Sequence, residues 1–93
     1  MAILMLQDAS ADRLATYDTV IRQLEEAGQG HPPGRLSHVA VRKGDGYLVA
    51  DVWESQAALD RFFLVLGPLL AQAGSTGGGP PEIYPVHNLI RGA

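Results

Sequence analysis

The order of its secondary-structure signals most constrains how this chain can fold, because a strand–turn–strand segment lies between two helical segments. Residues 36–42 and 47–53 are rich in β-branched and aromatic side chains, and they flank the turn sequence Lys43-Gly-Asp-Gly46. This pattern predicts a β-hairpin whose two-residue turn is Gly44-Asp45. The two helical segments are recognised by apolar residues at a spacing of three and four. The first stripe comprises Leu14, Tyr17, Val20, Ile21 and Leu24, and the second comprises Leu59, Phe62, Phe63, Leu66, Leu69, Leu70 and Ala73.

The ends of both helices carry recognisable signals. Ser10 is a predicted N-cap for the first helix, with Asp12 in its first turn, and Gly28 provides a stop in the left-handed conformation. Ser55 is the predicted N-cap of the second helix. The pair Gly67-Pro68 is expected to kink or split this second helix, because proline has no backbone N–H to donate.

Two outer strands complete the order. Residues 2–7 form a short apolar run without helical spacing, and residues 82–90 form a final strand that Pro85 assigns to a sheet edge. The order β-α-β-β-α-β predicts an α+β, ferredoxin-like fold. We therefore expect residues 1–93 to form one domain, with a four-stranded antiparallel sheet in the order 4-1-3-2 and both helices on one face.

Composition excludes several classes of function. Hydrophobic residues make up 46% of the chain, charged residues make up 18%, the formal charge is −3 and there is no cysteine. Such a chain is not expected to be disordered or to bind nucleic acid, and it has neither a thiol nucleophile nor a cysteine zinc site. The apolar stretch over residues 62–70 is far below the roughly 20 residues of a transmembrane helix. With no targeting segment visible, we expect a cytoplasmic protein without a membrane partner.

Apolar residues occur at both parities of the two hairpin strands, as in Val39 and Val41 beside Ala40, and in Leu48 and Val52 beside Val49. Two helices cover only one face of a four-stranded sheet, so a second apolar face needs another cover. We therefore expect a homodimer formed through the sheet face, burying well over about 1,000 Å2 in total.

The hairpin also predicts a polar pair. A turn at Gly44-Asp45 places His38 opposite Asp51 and Leu36 opposite Trp53. A carboxylate beside an imidazole favours the protonated ring and fixes its tautomer, which suits a general base. The alternative is a satisfied structural hydrogen bond in a dimer core. The pair faces either a ligand cavity or the dimer interface, and we favour the cavity because Tyr17 and Phe62 or Phe63 could complete an aromatic box.

Other arrangements are less consistent with the sequence. Ser37 and His38 are adjacent in a strand and point to opposite faces, which rules out a serine triad. His38, Asp51 and His87 are a possible metal-binding set, but His38 and His87 would lie on opposite sheet edges of one protomer. Only a site that crosses the dimer could join them, so no metal site is expected. The stretch over residues 74–81 lacks the lysine of a phosphate-binding loop and is predicted to be a linker, with a mobile lid as an alternative. His87 and Asn88 form either a pocket wall or a polar pair at the dimer seam.

The junction Asp51-Val-Trp-Glu-Ser55, the following residues 57–62 and the ending over residues 85–90 resemble the antibiotic-biosynthesis-monooxygenase-like group of dimeric α+β barrel proteins. This resemblance implies a sheet-to-sheet dimer with a pocket in each protomer, and it places Trp53 at the pocket. Members of the group include cofactor-free monooxygenases and heme-degrading enzymes. Gln7 replaces the first-strand asparagine of the heme-degrading members, and the second helix has no histidine, so heme degradation is not expected.

Two functions follow as hypotheses. In the first, the chain is a cofactor-free monooxygenase that acts on a small aromatic or polyketide-like substrate, with His38 or a tyrosine as the base. In the second, it is a non-catalytic dimer that binds a small apolar or aromatic ligand. Neither hypothesis calls for a cofactor. The candidate catalytic residues are His38 and Asp51, and the candidate substrate-binding residues are Tyr17, Trp53, Phe62, Phe63, His87 and Asn88.

Overall fold

The computed structural model describes residues 1–75 and 79–92, and it has the predicted order of elements. The four strands form one antiparallel sheet in the order β2-β3-β1-β4, which is the predicted order. Of the predicted linker, residues 76–78 lie outside the described part of the chain. The elements are β1 (Ile3–Ala9), α1 (Leu14–Glu26), β2 (Arg35–Lys43), β3 (Gly46–Trp53), α2 (Gln56–Gln72) and β4 (Glu82–Pro85).

The β2–β3 hairpin has the predicted register over most of its length. Lys43 pairs with Gly46, so Gly44-Asp45 is the turn, and Gly44 has the positive φ of 59° that such tight turns need. His38 pairs with Asp51, as expected. The prediction for Leu36 is wrong, because an irregularity between Arg35 and Ser37 makes Arg35 the partner of Trp53. One extra residue in β2 changes which side chain faces the helices.

The helix boundaries include two corrections. Helix α1 begins at Leu14, after Arg13, without a side-chain cap, so the predicted capping by Ser10 and the acidic first turn are wrong. Helix α2 is capped as predicted, since Ser55 Oγ accepts a hydrogen bond of 3.1 Å from the Ala58 N–H. It runs through Pro68 as one helix, so the expected split does not occur.

The last strand is shorter than predicted. Strand β4 ends at Pro85, and the Val86 N–H donates one further hydrogen bond of 2.9 Å to Ala2 O. Beyond this point β1 offers no further pairing residues, because it begins at Ile3. His87 and Asn88 are consequently exposed and lie outside the sheet.

The two faces of the sheet differ. One face packs against both helices, and the most completely buried large side chains between them are Trp53 of β3 and Leu59 of α2. The opposite face, here called the open sheet face, has no helix against it. By the alternation of strand side chains it carries Leu4, Leu6, Val39, Val41, Leu48, Ala50, Val52 and Tyr84. No helix in the described residues is long and apolar enough to cross a membrane.

Candidate functional site

A cavity of about 320 Å3 lies between the helices and the helix-facing side of the sheet. Its size falls within the range of about 300–1,000 Å3 that is typical of small-molecule sites. Its walls are mainly apolar and come from β1, α1, β3 and α2, including Met5, Val20, Leu24, Val49, Leu66 and Leu70. The cavity therefore suits a ligand whose surface is largely hydrophobic.

His38 and Asp51 form a hydrogen-bonded pair on the wall of this cavity. The Nδ1 atom of His38 lies 2.5 Å from Asp51 Oδ1, and Asp51 is only 3% exposed. The other carboxylate oxygen accepts a hydrogen bond of 3.3 Å from the Trp53 indole N–H. Both oxygens of the buried carboxylate are thus satisfied, and β2 and β3 hold the pair in register.

Tyr17 extends this pair towards the cavity. Its hydroxyl oxygen lies 2.7 Å from His38 Nε2, and the two rings are nearly parallel, with an interplanar angle of 3°. Because the Nδ1–H of a neutral His38 is donated to Asp51, Nε2 is the acceptor and the Tyr17 hydroxyl is the donor. Burial raises the pKa of Tyr17, and the charge of Asp51 raises it further while Arg35 acts in the opposite direction. Tyr17 therefore remains protonated at neutral pH.

The structure brings some of the predicted binding residues together and leaves others apart. Phe62 and Phe63 line the cavity with Tyr17, His38 and Asp51. Trp53 lies behind the wall instead of lining it, fully buried against Phe62 at a ring-centroid distance of 5.3 Å. His87 and Asn88 are exposed after β4 and do not line the cavity.

Sequence reasoning missed several polar residues that line the cavity. Arg35 lines it because of the irregularity in β2, directly after a Pro-Pro-Gly stretch that sequence reasoning interpreted only as a loop. Asp12 also lines it, with the Ser75 hydroxyl donating a 2.7 Å hydrogen bond to its carboxylate. Gln7 donates a 3.1 Å hydrogen bond to Gly79 O at the same cavity. Among the described residues, no group of three His, Cys, Asp or Glu side chains could hold a metal ion.

Comparison with known proteins places the chain by its fold. No family model matches the sequence, and no curated protein matches it. A candidate antibiotic biosynthesis monooxygenase from Caulobacter crescentus is similar in structure, with a TM-score of 0.59 and 19% identity, over 96% of this chain and 89% of that one. The cofactor-independent oxygenase SnoaB from Streptomyces nogalater, as a mutant, gives a TM-score of 0.58 at 12% identity, over 96% of this chain and 93% of that one.

A third similar structure is the ActVA-Orf6 monooxygenase of Streptomyces coelicolor, in complex with the ligand nanaomycin D. It has a TM-score of 0.51 and 21% identity, over 98% of this chain and 91% of that one. The chain thus has the ferredoxin-like α+β fold of the antibiotic biosynthesis monooxygenase-like proteins. The resemblance seen in the sequence is confirmed at the level of fold.

Proposed function

We propose that this protein is a cofactor-independent monooxygenase that acts on a small aromatic substrate. The observation that carries the proposal is the hydrogen-bonded series Tyr17–His38–Asp51 on the wall of an apolar cavity. The similar structures named as a cofactor-independent oxygenase and a monooxygenase support the same class of reaction. A homodimer formed through the open sheet face is part of this proposal.

The reaction begins with removal of a proton from an acidic C–H of the substrate. The substrate proton passes to the Tyr17 oxygen while the Tyr17 proton passes to His38 Nε2, so that the imidazolium forms beside the Asp51 carboxylate. This carboxylate stabilises the positive charge that develops on His38. The product of the step is a substrate carbanion held in a cavity whose walls are mainly apolar.

Molecular oxygen then serves as the oxidant. The carbanion and O2 combine into a peroxide anion, which takes the proton back from His38 and becomes a hydroperoxide. Loss of water from the hydroperoxide leaves a carbonyl group, so that a CH2 group and O2 give C=O and H2O. The chain supplies only acid–base chemistry and orientation, because the substrate provides all the electrons.

The test uses dihydroxyanthrone as the substrate, with oxygen uptake and product mass after reaction under isotopically labelled O2 as readouts. We expect one labelled atom in the quinone product, and His38→Gln should lower the rate about a hundredfold or more. The matched control is His31→Gln, because His31 is exposed in the loop between α1 and β2. A wild-type rate equal to that in buffer, or equal rates for the two variants, would contradict the proposal.

One observation favours a second candidate, a binding protein without catalysis. Both ring nitrogens of His38 are engaged within the chain, by Tyr17 and by Asp51. A fully satisfied network of this kind also serves to shape a rigid cavity. Binding of dihydroxyanthrone by the wild-type protein without acceleration of its oxidation would select this alternative.

A further inference from the structure

Arg35 introduces a positive charge at a cavity that is otherwise mostly apolar. It is the first residue of β2, and it pairs with Trp53, whose side chain is on the helix-facing side of the sheet. The irregularity that follows it leaves Leu36 exposed and Arg35 on the cavity wall. A guanidinium group on this wall costs free energy that an apolar side chain would not cost, because a charge close to apolar surface loses part of its hydration.

The contacts of Arg35 within the described residues leave its charge uncompensated. One guanidinium nitrogen, Nη2, donates a hydrogen bond of 2.9 Å to Gly30 O, and no carboxylate lies within ion-pair distance. A guanidinium carries five N–H donors, so most of its donor capacity remains available.

The carboxylates that line the same cavity are engaged elsewhere. Asp51 accepts hydrogen bonds from His38 and Trp53, and Asp12 accepts one from Ser75. The guanidinium charge is nevertheless felt inside the site, since it opposes the burial that raises the pKa of Tyr17. The cavity wall is therefore mainly apolar, its other polar side chains (Gln7, Asp12, His38, Asp51 and Ser75) are engaged in hydrogen bonds, and Arg35 and Tyr17 add a cation and a hydroxyl group to it.

We propose that this cavity selects an aromatic ligand bearing an ionised oxygen, a carboxylate or an acidic phenol, which is bound by Arg35 beside Tyr17. This inference rests on the proposed function, because the ionised oxygen of the substrate would bind Arg35 and so orient the substrate for that reaction. Arginine suits the role because its planar fork can donate two parallel hydrogen bonds to one carboxylate. The aromatic body of the ligand would lie among the apolar side chains, including Phe62 and Phe63.

The test compares naphthoate with its neutral analogue naphthalenemethanol in calorimetric titrations of the full chain. Neither probe needs to react with O2, so the result is independent of the oxygenase assay. Wild type should bind naphthoate more tightly than the alcohol. Arg35→Gln should weaken naphthoate binding about tenfold or more and leave the affinity for the alcohol within about twofold.

Two further variants make the result specific. Arg42→Gln removes the same charge from an exposed position on the same strand, outside the cavity, and should change neither affinity. Arg35→Lys keeps the charge but loses the fork, and should fall between wild type and Arg35→Gln. Retained binding of the alcohol shows that the cavity of a variant is intact.

The two proposals fail in distinguishable ways. The assignment of Arg35 would be overturned if wild type bound naphthoate and the alcohol equally well. It would also be overturned if Arg35→Gln and Arg42→Gln weakened naphthoate binding equally. Neither result would bear on the oxygenase proposal, which the oxygen-uptake assay tests separately. Charge-selective binding without oxygen uptake from dihydroxyanthrone would support the anion site and contradict the oxygenase.

Discussion

Tyr17, His38 and Asp51 are joined in series, and each fixes the state of the next. The two oxygens of Asp51 accept from His38 and from Trp53, which holds the carboxylate in one orientation. The imidazole then has a defined donor nitrogen and a defined acceptor nitrogen, and the acceptor faces Tyr17. The series consequently ends in a phenol, and both this phenol and the imidazole next to it line the cavity.

The state of Tyr17 predicts how the protein responds to alkaline pH. Burial raises the pKa of Tyr17 above its ordinary value of 10.0, so the folded chain holds this proton more tightly than the unfolded chain. The resulting stability is fully present below pH 10 and is lost as the pH rises through the pKa of the folded state. The tyrosinate absorbance of Tyr17 can be obtained by subtracting the spectrum of the Tyr17→Phe variant from that of wild type. It should therefore appear above pH 10.

Unfolding in urea provides the second readout of the same prediction. The fall in the free energy of unfolding between pH 8 and pH 11 should be smaller for Tyr17→Phe than for wild type. Part of the fall should remain, because burial also raises the pKa of Tyr47. An identical fall in the two proteins would contradict the assignment to Tyr17.

Gly46 is required by contact and not by backbone conformation. A Cβ at this position would lie 2.5 Å from the carbonyl oxygens of both Ala9 and Asp12. Gly46→Ala should therefore destabilise the fold by about 3 kcal/mol, as measured by urea unfolding. The matched control is Gly67→Ala in α2, where a Cβ would meet nothing within 4 Å. That change should stabilise the fold by about 0.5–1 kcal/mol. A Gly46→Ala variant that is as stable as the Gly67→Ala variant would refute the argument.

At the scale of elements, the hairpin was predictable because its turn fixes its register. The pair of His38 and Asp51 followed from Gly44-Asp45 alone. The irregularity after Arg35 was not predicted, because Pro32, Pro33 and Gly34 just before it indicate a loop and do not specify where the alternation of β2 begins. The persistence of α2 through Pro68 has a simple reason. Leu64, whose carbonyl loses its donor, is itself 78% exposed, so water can replace the missing N–H.

The candidate site was predictable only in part. Cross-strand neighbours follow from register, so sequence reasoning found His38 and Asp51. The contact of Tyr17 with His38 depends on how α1 packs across the sheet, which sequence periodicity does not specify. The polar residues Ser10 and Asp12 were read as helix-start signals, whereas Asp12 is buried at the cavity and helix α1 begins later.

The two predicted N-caps, Ser55 and Ser10, can be tested by replacing each with alanine. Ser55→Ala removes the acceptor for the Ala58 N–H at the start of α2 and should cost about 1 kcal/mol in the free energy of unfolding. Ser10→Ala should cost less than about 0.5 kcal/mol, because α1 has no side-chain cap. Denaturation in urea measures both. Equal losses would indicate that Ser10 caps a helix after all.

At the scale of the whole molecule, the open sheet face is an apolar surface that no helix of the described residues covers. Val39 and Val41 are 52% and 46% exposed on it, although both are apolar residues within β2. At one end Lys43 and Asp8 form an ion pair of 2.5 Å, which holds the pKa of Asp8 below its ordinary value. An apolar face bounded by charges is typical of a surface that associates with another protein surface.

Sedimentation equilibrium tests the proposed homodimer. We expect wild type to have twice the 9.9 kDa mass of the chain at micromolar concentration. Val39→Asp would bury a charge in the interface and should shift the population to the monomer. Leu64→Asp is the control, since Leu64 is 78% exposed on α2 and lies away from the open sheet face. A wild-type mass of one chain would contradict the dimer.

Trp53 gives this protein an optical reporter of its own. It is the single tryptophan of the chain, it is fully buried, and its indole N–H donates to the carboxylate that also binds His38. We therefore expect the emission of an indole shielded from water, and we expect it to shift when the charge on its hydrogen-bond partner Asp51 changes. Because Phe62 and Asp51 line the cavity and contact Trp53, ligand binding and protonation of the wall should both change the fluorescence of the unlabelled protein.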